Sequence, residues 1–217
     1  MRRLIAFGCS MTYGQSMPDN YMDHDSLTPS KFAWPEILGK LTGTEVVNMA
    51  TCGASNKEIL HLILEYQFES TDIIMVCWTF TDRTCIITNE KLLRLGVWYL
   101  SPIKGGRSDV PALKKRTAAY YAEVWDEHDS SLSQHRCIHY ANLYLNSKNL
   151  KNYHLTVNND LIHEHPFFNT PMLPVDYMSI IQDPRNPKAL DNDHPGEQTH
   201  RRLAEKLWHL TLGLTNG

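Results

Sequence analysis

Apolar positions along the chain change their period several times, and each change marks an element. "RRLIAFG" holds a short apolar run, Arg3 to Gly8, that stops at a glycine, as a buried strand does. After a polar, proline-containing stretch from Gln15 to Ser30, "KFAWPEILGKLTG" spaces Phe32, Trp34, Ile37, Leu38 and Leu41 as one helix face and ends at Gly43. "TEVVNMA" is a second short strand. "SNKEILHLILEYQFES" opens with Ser55 and Glu58 in capping-box register and continues as an amphipathic helix. Asp72 to Trp78, "DIIMVCW", is apolar almost throughout, which suits a central strand covered on both faces. "RTAAYYAEVWDEHD" and "SLSQHRCIHYANLYLNSKNL" are helical in pattern, "YHLTVN" is a fourth strand, and "GEQTHRRLAEKLWHLTLGL" closes the chain as an amphipathic helix.

Strands alternating with helices predict an α/β fold with a doubly wound parallel sheet. Two stretches break the rhythm: residues 79 to about 115, with "SPIKGGRSDVP", predicted as an irregular excursion, and a proline-rich stretch that runs to Ala189. No internal repeat or low-complexity tract interrupts the pattern. The 217 residues are expected to form one domain, 1–217.

Composition narrows the classes of partner. Apolar content of 42% and charged content of 21% are ordinary globular values. The net charge is -3, and basic residues occur only in short groups such as Lys114-Lys115-Arg116, so no nucleic-acid partner is expected. The apolar start is too short for a secretory segment, and no run approaches the roughly 18 residues that span a bilayer. A soluble, cytoplasmic protein with no membrane partner is the expectation. The five cysteines are odd in number and match no zinc spacing, which predicts free, mostly buried thiols. The oligomeric state leaves no mark in any of these patterns.

Candidate chemistry follows from topology. In an open parallel sheet, ligands bind beyond the carboxyl ends of the strands. Three loops should gather there: the one after the first strand with Ser10, the one after the second with Gly53, and the one after the third with Thr79 to Arg83. A sharp strand-to-helix turn exposes a serine hydroxyl, which then needs a base. "ALDNDHPGEQTH" supplies His194 with Asp191 three residues before it, placed to hold the imidazole in one tautomer. Asp193, directly adjacent to His194, is the weaker orienter. Simpler roles stand beside these: Ser10 as a helix cap, Gly53 as a turn glycine, Asp82 and Arg83 as a local ion pair. "LIHEHPFF" raises a metal site on His163 and His165, completed by Asp191, Asp193 or His200, but no strong metal motif is present. No metal or other cofactor is expected.

Taken together, "FGCSMTYG", "NMATCG" and "DNDHP" resemble, in order, the Gly-Asp-Ser, second and last blocks of the SGNH (GDSL-like) hydrolases, with Cys9 in place of the usual Asp. "GASNKEI" and "WTFTDR" resemble a divergent branch of that family frequent in tailed-phage genomes. The resemblance implies a three-layer α/β/α sandwich of flavodoxin-like type and a serine esterase acting on a small-molecule or carbohydrate-like ester. It implies Ser10 as nucleophile, His194 as base, Asp191 as its orienter, and the N–H groups of Ser10 and Gly53 as oxyanion donors. The third block departs from the family: Thr79, Thr81 and Asp82 fall where it has Gly, Asn and Asp. Thr81, Arg83 or Asn56 would then replace the missing amide. The altered block also admits a catalytically silent module that binds a glycan or a protein.

Overall fold

A computed structural model describes residues 2–20, 28–89, 92–97, 110–157 and 170–211. Its main sheet has four parallel strands in the order β2-β1-β3-β6, formed by β1 (Arg3–Phe7), β2 (Glu45–Asn48), β3 (Ile73–Trp78) and β6 (Lys151–Thr156). Every residue of β3 is buried, as its unbroken apolar run requires of a strand flanked on both edges and both faces. Because the connection from β1 leads outward to β2 and the next one returns past β1 to β3, the strand order reverses between β1 and β3. In open parallel sheets, such a reversal point is where ligands bind, beyond the carboxyl ends of the two strands.

Helices form the outer layers. α2 (Trp34–Thr42) packs on α7 (Glu197–Thr211), and α3 (Asn56–Glu65) on α5 (Glu127–Ser147). Three of them have a legible start: Pro35 opens α2, the Ser55 hydroxyl accepts the Glu58 N–H at 3.3 Å at the head of α3, and Asp126 accepts the Asp129 N–H at 2.9 Å at the head of α5. α3 ends earlier than its apolar pattern predicts. Tyr66 turns extended there, and its ring joins Phe68 against Phe7, with centroids 5.9 and 6.1 Å from that ring. Packing of these half-buried rings against the core takes the place of one more helical turn.

Other differences have local causes. The helix expected over "RTAAYYAEVWDEHD" is split: α4 (Val110–Glu123) ends before Asp126 caps α5. The excursion after β3 is partly regular, since β4 (Thr84–Ile87) and β5 (Leu92–Leu95) pair antiparallel. A short helix, α6 (Tyr177–Gln182), lies in the proline-rich stretch, capped by Asp176. "LIHEHPFF", with His163 and His165, lies outside the described residues. Among the described residues the cysteines are free, no group of three or more His, Cys, Asp or Glu side chains is arranged to hold a metal, and no helix is long and apolar enough to cross a membrane.

Candidate functional site

The chain leaves β1 through Gly8 and turns at once into a one-turn helix, α1 (Ser10–Tyr13). A Cβ at Gly8 would lie 2.2 Å from Thr12 Oγ1 and 3.2 Å from the Cys77 carbonyl oxygen, so only glycine lets α1 fold back so tightly beside β3. Cys9 stands at the N-cap position of α1, makes no side-chain cap bond and is fully buried; Ser10, the first helical residue, is buried too at 3% exposed, rather than standing out from the turn as the sequence predicts. As first residue, Ser10 presents an N–H that has no acceptor within the helix. Of the two nucleophile types side by side in the sequence, the structure turns the thiol into the core.

The neighbouring loop follows β2. Thr51 N–H donates to the Gly8 carbonyl at 3.1 Å, which ties this loop to the Ser10 turn. Gly53 sits in the left-handed region at φ 73°, where a side chain would be strained. The Thr51 hydroxyl donates at 3.2 Å to Glu58, whose buried carboxylate also takes a two-pronged ion pair from Arg94 of β5, at 2.5 and 2.8 Å. Burial pushes the Cys52 thiol, beside Gly53, up to about 12, so it stays protonated at neutral pH.

The third loop differs from what the family pattern implies. Asn56 accepts the Thr79 N–H at 2.8 Å and donates to the Thr79 carbonyl at 3.1 Å, and Gln134 donates to that same carbonyl at 3.3 Å. Both amides therefore serve the backbone at the end of β3. Arg83 donates to Thr79 Oγ1 at 3.0 Å and lies over the Phe80 ring at 4.8 Å. Asp82 offers its carbonyl to the Tyr121 hydroxyl, burial raises its carboxyl, and among the described residues its Oδ1 has no hydrogen-bond partner. Thr81 is half-buried at the centre of this loop.

His194 and Asp191 form a dyad. Asp191 Oδ2 is 2.6 Å from His194 Nδ1, and Oδ1 accepts the N–H groups of Asp193 and His194 at 2.9 and 3.0 Å. Partial burial works to raise the Asp191 carboxyl. The hydrogen bonds it accepts from the Ser16 side chain, these two N–H groups and the imidazole outweigh that and hold it well below the usual carboxylate range. The carboxylate thus fixes the imidazole with Nδ1 protonated and Nε2 free to accept.

Ser16, a residue the sequence reading passed over, joins this loop to the Ser10 turn. It adopts φ 64°, uncommon for a residue with a side chain. There its side chain bonds Asp191 and its carbonyl accepts the Leu190 N–H at 3.1 Å. Nothing in "GQSMP" marks that role, because it depends on a partner about 175 residues away.

No family model matches the sequence, and no curated protein matches it. Solved structures do match its fold. A protein assigned to the lipolytic G-D-S-L family from Desulfitobacterium hafniense DCB-2 superposes with a TM-score of 0.56 at 12% identity, covering 96% of this chain and 98% of that one. A lipase from a goat rumen metagenome gives 0.55 at 15% identity, with 97% and 98% covered. A carbohydrate esterase, whose active site is described as displaying divergent catalytic and non-catalytic binding functions, gives 0.53 at 12% identity, with 100% and 69% covered. The parallel sheet between helical layers is thus the fold of the SGNH, or G-D-S-L, hydrolases.

Proposed function

We propose that this chain, acting as one domain over residues 1–217, is a serine hydrolase that cleaves an ester or acetyl group from a small-molecule or carbohydrate-like substrate. The observation that carries the reading is the Asp191–His194 dyad, whose loop is tied through Ser16 to the segment that directly follows the Ser10 helix. In the proposed reaction His194 Nε2 takes the Ser10 proton as Oγ attacks the ester carbonyl, and Asp191 stabilises the imidazolium that forms. The N–H groups of Ser10 and Gly53 receive the oxyanion. His194 then returns its proton to the leaving alcohol, and a water activated by the same imidazole releases the acid and frees Ser10.

The third oxyanion donor is assigned to Thr81 through its hydroxyl, with Arg83 as a cation of the same loop. Asn56, the other candidate, is committed to the Thr79 backbone. A threonine hydroxyl in place of an aimed amide supports a slow or narrowly selective enzyme, because losing one oxyanion donor costs roughly a hundredfold to a thousandfold. The same feature favours a second reading, a silent module that binds a glycan or a protein partner at the same loops.

Hydrolysis of p-nitrophenyl acetate and fluorophosphonate labelling, each for wild type, Ser10→Ala and His194→Ala, separate these readings. The hydrolase takes one adduct on Ser10, and both variants lose turnover. Wild type that neither labels nor turns over, while binding a glycan, overturns the hydrolase reading in favour of the second.

A further inference from the structure

His200 lies in the first turns of α7, six residues after His194, and is 1% exposed. A buried imidazole needs partners for both nitrogens. Its Nδ1 accepts the Trp34 N–H at 3.1 Å. Trp34 is the first residue of α2, and the residue that caps this helix, Ala33, has no side-chain oxygen to offer. An acceptor 166 positions away along the chain therefore does the work of a cap. With Nδ1 accepting, the neutral ring carries its proton on Nε2, and the ring's second polar contact is the carbonyl of Pro195, directly after His194.

The segment that His200 grips is also the one that seats the Ser10 helix. Ser30 N–H donates to the Tyr13 carbonyl at 2.9 Å. Gly14, which ends α1 at φ 75°, packs so closely that a Cβ there would come within 2.8 Å of Ser30 Cβ and 2.9 Å of Ala33 Cβ. One side of this connection is α1, which begins with Ser10; the other, reached through one imidazole, is the loop that carries His194.

We infer that His200 is a positioning residue, fixing the His194 loop in register with the Ser10 turn by bridging the start of α2 and the Pro195 carbonyl. The inference rests on the proposed triad. His200 touches neither substrate nor proton in transit. Its part in turnover is to aim His194, so its loss lowers kcat and leaves KM in place.

The test uses the full chain with 15N-labelled histidine. His200 is expected as the neutral Nε2–H tautomer from about pH 5 to 8, and the His194 Nδ1–H bonded to Asp191 as a low-field proton. In His200→Leu that proton broadens or vanishes and kcat falls at least about tenfold with KM within about twofold. His200→Asn, whose carbonyl can still accept from Trp34, restores the proton and most of the rate. A His200 carrying its proton on Nδ1, or a His200→Leu variant with wild-type kcat and an unchanged low-field proton, overturns the inference. Should His200→Leu fail to fold, the wild-type tautomer and the His200→Asn variant still decide. Absence of turnover in wild type refutes the hydrolase reading alone, since the tautomer and the low-field proton are read without substrate.

Discussion

Asp191 meets His194 twice: one carboxylate oxygen lies 2.6 Å from the ring Nδ1, and the other accepts the backbone N–H of the same histidine at 3.0 Å. The carboxylate therefore orients both the ring and the peptide that carries it. An Asp191→Asn change keeps the shape but can offer N–H to Nδ1, which favours the wrong tautomer. In the best-studied serine triad that substitution costs about 10⁴ in kcat, and a loss of at least roughly a thousandfold is expected here. Steady-state kinetics on p-nitrophenyl acetate, with folding checked by circular dichroism, would show it. A near-normal rate would remove the carboxylate from the mechanism.

Acid should weaken the fold before its carboxylates titrate. Burial lowers His154 and His200 to about 4, and the Trp78 indole donates to His154 Nδ1 at 3.1 Å, which requires that nitrogen unprotonated. In the unfolded chain an imidazole takes its proton near pH 6.5. Between about 6.5 and 4 the unfolded state thus binds more protons than the native one, so stability falls as pH drops through that window. Each histidine contributes up to about 3 kcal/mol at its lower end. Urea midpoints measured from pH 7 to 4.5 should decline steadily; a flat profile would mean that both rings charge without unfolding.

Glu58 and Arg94 join α3 to β5 and, through Thr51, to the turn that contains Gly53. Arg94→Met strands a buried carboxylate and should cost roughly 3 kcal/mol. The double change Glu58→Gln with Arg94→Met should recover much of that, because the charge to be compensated is gone. Chemical denaturation of wild type and the two variants measures the difference. Equal stability of single and double variants would show that the pair is not coupled.

Asn56→Ala separates a scaffolding amide from a catalytic one. The Thr79 N–H loses its acceptor in a buried setting, and a stability loss of roughly 2 kcal/mol is expected with a modest change in kcat. Were Asn56 an oxyanion donor, the variant would instead lose about a hundredfold in kcat at nearly unchanged stability. Thermal melting and turnover on the same preparations distinguish the two outcomes.

Local sequence carried the fold a long way. The apolar run of β3, the capping box at Ser55 and Glu58 and the helical stripe from Phe32 to Leu41 all name their elements without outside help. Elements decided by distant contacts were harder. Extended Tyr66 is set by Phe7, and the β4–β5 pair by its docking near α3, neither of which has a sequence period. In the candidate site, Ser10, Gly53, Asp191 and His194 stand out because a turn or a fixed spacing announces them. Ser16 and the bridging role of His200 do not, since each is defined by a partner far along the chain. Asn56 was visible as a residue near the site, but the direction its amide faces is a property of the folded loop.

The two halves of the proposed triad come from opposite ends of the polypeptide, Ser10 after the first strand and His194 just before α7. During synthesis the turn with the proposed nucleophile therefore leaves the ribosome long before its proposed base is made. The sheet that shapes it is unfinished too, because β1 must wait for both neighbours, β2 and β3, to be made. A chain not yet extended past His194 holds Ser10 without its proposed base, so in the proposed hydrolase any turnover requires the segment that leads into α7.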